Sequence, residues 1–585
     1  MAQPQLETRK LVNSFLSMLV LAGILALFFQ YRHQVVALKA PRIPISLRAL
    51  PYYSFCSFYR MLAAYLLALL FSIVYGMLAA RGALYERIMI PTIDIAQSVP
   101  VIGFFPAAIY FFVSIAHGGR LGVEMAAIFL IFTSQAWNMA LGVFESIKTI
   151  PNDSSEALEA FGVTGWLKFK RLLMPASVPK LVYNSILSWV AGWYFLIACE
   201  IITVGPSDYR LPGLGSFLMQ SADKGQTREL IAGLLALLFI IVAMDLLIWQ
   251  PLSTWAEKFR YEFAATEEPM RSLALADIVG FAGARFRGAT RILRRPRLTM
   301  RSVLDWTARW RAPLGRVATA GWQRIRLGVG IAALAYAAYL LALASVALVR
   351  TLVRPWPAEV AQIPLATVAS MGRLLLAYAI SLAWTLPCAL AASESPRFNR
   401  LLAPMAEIAG SMPATALFPL IVIFVIKVTG GMNLAAVLLI LTGMQWYLLF
   451  NLLAGVRQIP ADLKEAARAY GLSRLQTWRK LVIPALIPSL ITGSITAWGG
   501  GWNALILSEW FVYKGHNYRV IGLGALLDQA TYVSGNGVMI LLSLMSMVLV
   551  VVGLNRLIWR RLYNYATEHY RLDYRSIGEG SNARI

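Results

Sequence analysis

Pro151-Asn-Asp-Ser-Ser-Glu-Ala-Leu-Glu-Ala-Phe-Gly162 and Pro460-Ala-Asp-Leu-Lys-Glu-Ala-Ala-Arg-Ala-Tyr-Gly471 are two copies of one pattern, and each runs on thirteen residues to a further proline, Pro175 or Pro484. The offset between them is 309, and it also carries Trp137, Trp193, Glu200, Tyr209, Arg210, Gly213 and Gly215 onto Trp446, Trp502, Glu509, Tyr518, Arg519, Gly522 and Gly524. Upstream the offset is 313, pairing Pro91, Ser98, Pro100 and Pro106 with Pro404, Ser411, Pro413 and Pro419. The four-residue slip falls in a short loop around Gly118–Arg120. Registers held over such a distance mean an internal duplication.

Working outward, the 585 residues are 58% hydrophobic and 14% charged. Soluble domains have about 25% charged residues and cores that stop growing near about 250–300 residues. A single soluble globule is excluded, and disorder is excluded by the same hydrophobicity. Cys56, Cys199 and Cys388 are scattered through apolar surroundings and give neither a disulfide framework nor a metal cluster. The chain reads as an all-α integral membrane protein. Spans of about 20 apolar residues are expected near 11–29, 61–80, 92–115, 122–146, 181–204 and 230–250, and again near 328–350, 374–393, 405–429, 433–456, 489–512 and 537–559. The run after Arg9 and Lys10 is too long for a signal peptide and reads as a retained anchor. Six spans per half give two parallel repeats, an arrangement that suits a pathway between rocking halves.

The organisation expected is an anchor and outer segment over 1–59, a first repeat domain over 60–250 and a basic linker over 251–326. A seventh span with its outer segment follows over 327–372, then a second repeat domain over 373–560 and a tail over 561–585. The linker holds fifteen Lys or Arg against six acids. The net charge of +24 suggests nucleic acid at first sight, but +21 of it falls in the segments that lie inside if both termini are cytoplasmic. The charge therefore reads as topology and as attraction to anionic lipid, with no nucleic-acid partner. Residues 30–60 run against the rule, carrying five basic residues and no acid in an expected outer segment.

In each repeated loop Asp153 or Asp462 precedes Glu156 or Glu465 by three residues, a capping-box spacing for a helix start. Ala157, Ala466 and Ala467 favour helix, and Gly162 and Gly471 suit a left-handed helix end. A short basic helix is expected next, stopped by Pro175 and Pro484. Glu-Ala-Ala, three residues, Gly and then a Leu-Pro or Ile-Pro resembles the signature loop of permease subunits of ATP-binding-cassette importers. The second copy matches fully, and the first has Leu158 for the second Ala. The resemblance implies a type I importer fold and coupling helices that dock on ATPase subunits. It also implies two such subunits, one per loop, and an external substrate-binding protein. The chain lacks a Gly-x4-Gly-Lys-Ser/Thr phosphate loop. ATP and Mg therefore belong to the partner, this chain carries no cofactor of its own, and it is not an enzyme. The resemblance further implies two permease domains fused in one chain, placed in a bacterial inner membrane.

Ser98-Val-Pro100-Val-Ile-Gly-Phe-Phe-Pro106 and Ser411-Met-Pro413-Ala-Thr-Ala-Leu-Phe-Pro419 further resemble the nitrate, taurine/sulfonate and bicarbonate subfamily, which implies a small anion as substrate. Gln97 and Gly410 stand where that subfamily usually has Arg. Prolines break helical hydrogen bonds and leave carbonyls free, which is tolerated at depth when the backbone is buried or lines a cavity. Pro100, Pro106, Pro413 and Pro419 are therefore expected at the central pathway. Of six acids within spans, Asp94, Glu145, Glu200, Asp245, Glu407 and Glu509, the repeat-matched Glu200 and Glu509 are the pathway or outer-gate candidates. A twelve-span secondary transporter of the major-facilitator type is the alternative, and it gives no reason for duplicated Glu-Ala-Ala loops.

Overall fold

The computed structural model describes residues 44–98, 101–117, 119–161, 163, 165–201, 211–259, 348–429, 431–513 and 516–569, with single positions at 335, 339, 342, 343, 345 and 346. The first repeat contains α1 (Leu50–Ala79), α2 (Ala83–Ser98), α3 (Phe105–Ile115), α4 (Arg120–Lys148), α5 (Asn152–Ala160), α6 (Met174–Ile201), α7 (Leu214–Asp223) and α8 (Thr227–Met244). The second contains α9 (Ile363–Glu394), α10 (Pro396–Ser411), α11 (Ala414–Thr429), α12 (Met432–Gln458), α13 (Ala461–Ala469) and α14 (Ile483–Glu509). The antiparallel hairpin β1 (Trp510–Tyr513) and β2 (His516–Arg519) follows, then α15 (Leu523–Asp528), α16 (Gly537–Leu554) and α17 (Arg560–His569).

Among the described residues, eight stretches are long and apolar enough to cross a membrane: Leu47–Ala79, Arg120–Lys148, Gly165–Glu200 and Thr227–Ala256, then Ala358–Glu394, Met432–Val456, Arg474–Glu509 and Gly537–Ala566. The expected spans 92–115 and 405–429 are not single helices. α2 and α3 are separated by a 3-10 turn at Val101–Phe104, and α10 and α11 by Met412 and Pro413. Prolines at the breaks have no N–H to continue the ladder. Expected span 11–29, most of 328–350 and the linker beyond Phe259 lie outside the described residues.

The helices pack inside out relative to a soluble protein. The buried face of α1 carries Ala64, Ala68, Ser72 and Gly76, while Phe55, Tyr59, Leu62, Leu66, Leu70 and Val74 are exposed. Its counterpart α9 buries Ala377, Ser381, Thr385 and Ala389. Lipid solvates the large side chains, so small residues at every fourth position let helices approach. The approach is close enough that a Cβ on Gly76 would fall 2.7 Å from the carbonyl of Ala140 on α4. In each repeat the first long helix packs on α4 or α12, which packs in turn on α6 or α14.

Four π-turns also obey the repeat: Phe169–Leu173 matches Trp478–Val482, and Asp245–Trp249 matches Asn555–Trp559. The first pair corrects the expected stop at Pro175 and Pro484. The chain passes from Gly165 and from Arg474 through the wide turn into α6 and α14 without ending. A π-turn leaves a carbonyl without a partner, which is where a residue lacking N–H can sit. The second pair aims Trp249 and Trp559 into matched aromatic clusters. Tyr65, Trp189 and Trp249 have ring centroids 5.5–5.6 Å apart, and Tyr378, Trp498 and Trp559 are 6.0–6.4 Å apart.

Candidate functional site

Both repeated loops form a short exposed helix, α5 and α13, at the same end of the bundle, here termed the loop end. Asp462 and Glu465 do not make the expected capping box. Pro460 with ψ 139° is itself the N-cap, so the helix starts at Ala461 and Asp462 falls in the first turn, where its charge suits the helix dipole. A capping box does form at the start of the next short helix, Arg474–Thr477, between Ser473 and Gln476. The expected left-handed end holds at Gly471, with φ 65°. The Gly471 amide donates to the carbonyl of Arg468 and the Leu472 amide to that of Ala467, a Schellman closure. In the first copy the Val163 amide donates to the carbonyl of Leu158 at the equivalent position, and Gly162 lies outside the described residues.

The outer faces carry Asp153, Glu156 and Ala157 on α5, and Asp462, Glu465 and Arg468 on α13. Ala466 is half-buried and Ala467 is buried against the body. Each helix ends on an aromatic ring left in the open, Phe161 and Tyr470, both 85% exposed. Lys464 turns back toward the carbonyl of Ser393 at 3.5 Å. Burial, with the charge of Arg468 nearby, holds its ammonium below the usual lysine range.

At the opposite, far end, the two halves exchange their broken segments. The Val101 amide, just past the break in the first half, donates to Oδ1 of Asn503 on α14 at 2.9 Å. Thr415, just past the break in the second half, donates through its hydroxyl to the carbonyl of Tyr194 on α6 at 3.1 Å. Asn503 and Tyr194 are themselves equivalent positions, so the exchange is reciprocal. Pro413 is buried in its break. Pro100 lies outside the described residues, and Pro106 falls in the first turn of α3 and Pro419 in the second turn of α11. From these contacts toward the loop end, the same helix faces stay open. On α6 they present Tyr183 and Leu187, 50% and 44% exposed. On α14 they present Thr492, Thr496 and Gly499.

Glu200 and Glu509 are not open to that face. Both are fully buried, each in an ion pair with an arginine that the sequence reading passed over. Arg60 Nη1 donates to Glu200 Oε1 at 2.7 Å, and Arg373 Nη1 donates to Glu509 Oε1 at 2.6 Å. Ser57 and Ser370 donate to the same oxygens, and accept in turn from the amides of Leu214 and Leu523. The Gly215 and Gly524 amides, in the first turn of α7 and α15, donate to the second oxygen. Each carboxylate therefore clamps the first long helix of its repeat to the start of the short far-end helix. Gly213 and Gly522 are needed because a Cβ there would lie 2.2 and 2.1 Å from the carboxylate. The copies differ on the outer side of the arginine: Arg60 makes a bidentate pair with Glu124, whereas Arg373 meets Asn433 and the carbonyl of Ile521. Of the remaining span acids, Glu145 pairs with Lys180 and Asp245 accepts from Gln250. The side chains of Asp94 and Glu407 lie outside the described residues.

The family described as binding-protein-dependent transport system inner membrane component matches this chain twice, over residues 72–248 and 383–563. The chain is 23% identical over 179 residues to the nitrate import permease protein NrtB of Leptolyngbya laminosa, covering 31% of this chain and 59% of that protein. It is 27% identical over 176 residues to the taurine transport system permease protein TauC of Escherichia coli, covering 30% and 62%. It is 24% identical over 189 residues to the bicarbonate transport system permease protein CmpB of a Synechocystis strain, covering 32% and 61%. The matched part spans about three fifths of each of these relatives. With both of its repeats matched, and with the paired loop helices in equivalent places, the chain belongs to the family of binding-protein-dependent transport system inner membrane components.

Proposed function

We propose that this chain is the membrane subunit of an ATP-driven importer, in which two fused permease halves enclose one translocation pathway. The observation that carries the reading is the reciprocal exchange at Asn503 and Tyr194, combined with a helix of matched form, α5 or α13, at the loop end of each half. The loop end is then the cytoplasmic side, with both termini on that side of a bacterial inner membrane. Asp153, Glu156, Ala157, Gly162 and Pro175, with Asp462, Glu465, Ala466, Ala467, Gly471 and Pro484, form the two coupling sites. Each coupling site takes one ATPase subunit, which supplies ATP and Mg chemistry. An external binding protein delivers substrate at the far end, and anionic lipid meets the basic linker.

The pathway runs between α6 and α14, closed at the far end by the broken segments around Pro100, Pro106, Pro413 and Pro419. It opens inward past Tyr183, Leu187, Thr492 and Thr496. Glu200 and Glu509 serve it from behind, as the clamps that hold α7 and α15 in place. The relatives' names supply the substrate class, a small oxyanion or small sulfonate. With Gln97 and Gly410 in place of arginine, hydroxyls and amides would meet it rather than fixed cations.

Uptake by the complete complex in proteoliposomes tests the reading. Glu156→Lys combined with Glu465→Lys is expected to abolish ATP-driven uptake while leaving the chain folded and inserted. Undiminished uptake by that variant would refute coupling through these loops.

A further inference from the structure

The two coupling sites are copies in backbone but not in charge. α5 reads Asn-Asp-Ser-Ser-Glu-Ala-Leu-Glu-Ala, with three acids and no base. α13 reads Ala-Asp-Leu-Lys-Glu-Ala-Ala-Arg-Ala, with two acids and two bases. The difference sits at two positions, where Ser155 and Glu159 are replaced by Lys464 and Arg468. The turns that follow do not compensate, because each carries three bases: Lys168, Lys170 and Arg171, or Arg474, Arg479 and Lys480. Lys168 is engaged with Ser155 at 2.6 Å.

The bracing differs as well. In the second half Arg474 pairs with Glu394, at the end of α9, at 2.6 Å and lies over the Trp478 ring at 4.9 Å. The equivalent positions in the first half are Gly165 and Arg81, which can make no such pair. α13 is thus fixed to the membrane body at its exit, while α5, which exposes Asp153 and Glu156, lacks that brace. The apolar part of the surface is shared, since Phe161 and Tyr470 are equally exposed.

We infer that the two sites are not interchangeable: α5 holds its ATPase subunit through a groove rimmed with Lys and Arg, whereas α13 holds its subunit chiefly through apolar contact around Tyr470. This rests on the reading of α5 and α13 as ATPase docking helices. An anionic membrane surface does not fit α5, because like charges repel. Contacts between exposed charges weaken as salt rises, the screening length falling from about 10 Å at 0.1 M to about 3 Å at 1 M. Apolar contact does not weaken in that way. The first site should therefore empty with salt before the second.

Native mass spectrometry of the purified, nucleotide-free complex, taken through a salt series from about 0.1 to about 1 M and exchanged rapidly before spraying, tests this. The expected result is two ATPase subunits per chain at low salt and one at high salt. Ser155→Lys with Glu159→Arg gives α5 the charges of α13, and should leave one subunit per chain already at low salt. Lys464→Ser with Arg468→Glu, the reverse exchange, should leave the subunit on α5 in place. Loss of both subunits over the same salt range, or full occupancy by the Ser155→Lys/Glu159→Arg chain, would overturn the inference while leaving the docking reading intact. If no ATPase accompanies the unaltered chain at low salt, the docking reading itself fails and takes the inference with it.

Discussion

Arg60 on α1 and Glu200 at the end of α6 meet at 2.7 Å with almost no access to solvent, and Arg373 and Glu509 repeat the contact at 2.6 Å in the second half. In each case the carboxylate also takes an amide from the start of the next short helix. One buried anion thus fixes the far-end geometry of each repeat. A buried pair of this kind adds little against an apolar substitute, but breaking it on one side strands a charge.

Removing one arginine is therefore costly. Arg60→Met or Arg373→Met is expected to lower stability by about 3–5 kcal/mol, read as a lower thermal midpoint of the purified chain. Arg60→Met combined with Glu200→Leu should cost less than the sum of the two single changes. Glu124, left behind in that variant, is 30% exposed and can turn to water.

Glycines at the clamps have a separate requirement. Gly213→Ala and Gly522→Ala place a methyl within 2.2 Å of the carboxylates, so both should lower the thermal midpoint. Gly372→Ala, in an exposed turn of α9 with open space around it, should raise stability by about 0.5–1 kcal/mol. If the three behave alike, the clamps do not constrain the backbone as described.

Lys464 gives a pH signature on the loop side. Its folded value is held below the ordinary 10.5 by burial and then by Arg468, so the unfolded chain binds more protons in the window between the two values. Stability then rises with pH across that window, and below it the cost of the buried charge is fully present. Lys464→Met removes the cost. The variant should be the more stable chain near neutral pH, and the difference in thermal midpoint should shrink as pH rises toward 10.5.

Val101 and Asn503 come from opposite halves and are joined at 2.9 Å. With Cys56, Cys199 and Cys388 replaced and a protease site placed in the linker, Val101→Cys with Asn503→Cys should form a disulfide. The two fragments should then stay together on a non-reducing gel after cleavage. Separate fragments under oxidising conditions would contradict the contact between halves.

The duplication, the loop helices and their exposed acids were legible in the sequence, because a repeated offset needs no knowledge of packing. The clamps were half legible. Glu200 and Glu509 stood out as acids within apolar runs, but Arg60 read as one of five unexplained basic residues in an outer segment. The structure accounts for that one, since Arg60 is neutralised by Glu124 and Glu200 and marks no topology. The missed signal was the upstream offset itself, which carries Ser57 and Arg60 onto Ser370 and Arg373. The prolines of the third spans foretold irregular backbone without showing that the break is complete. The expected box at Asp462 failed because Pro460 fixes the helix start two residues earlier than the Asp–Glu spacing implies.

On the proposed function, the two halves of one chain enclose a pathway worked from the loop end by ATP. Leu187 on α6 and Thr496 on α14 test it directly, since both are exposed on the helix faces that carry Tyr194 and Asn503. In the cysteine-replaced complex, Leu187→Cys and Thr496→Cys should each react with a membrane-impermeant thiol reagent applied from the ATPase side, and lose that reactivity when ATP and vanadate are added. Reaction from the other side only, or reactivity indifferent to nucleotide at both positions, would contradict the account.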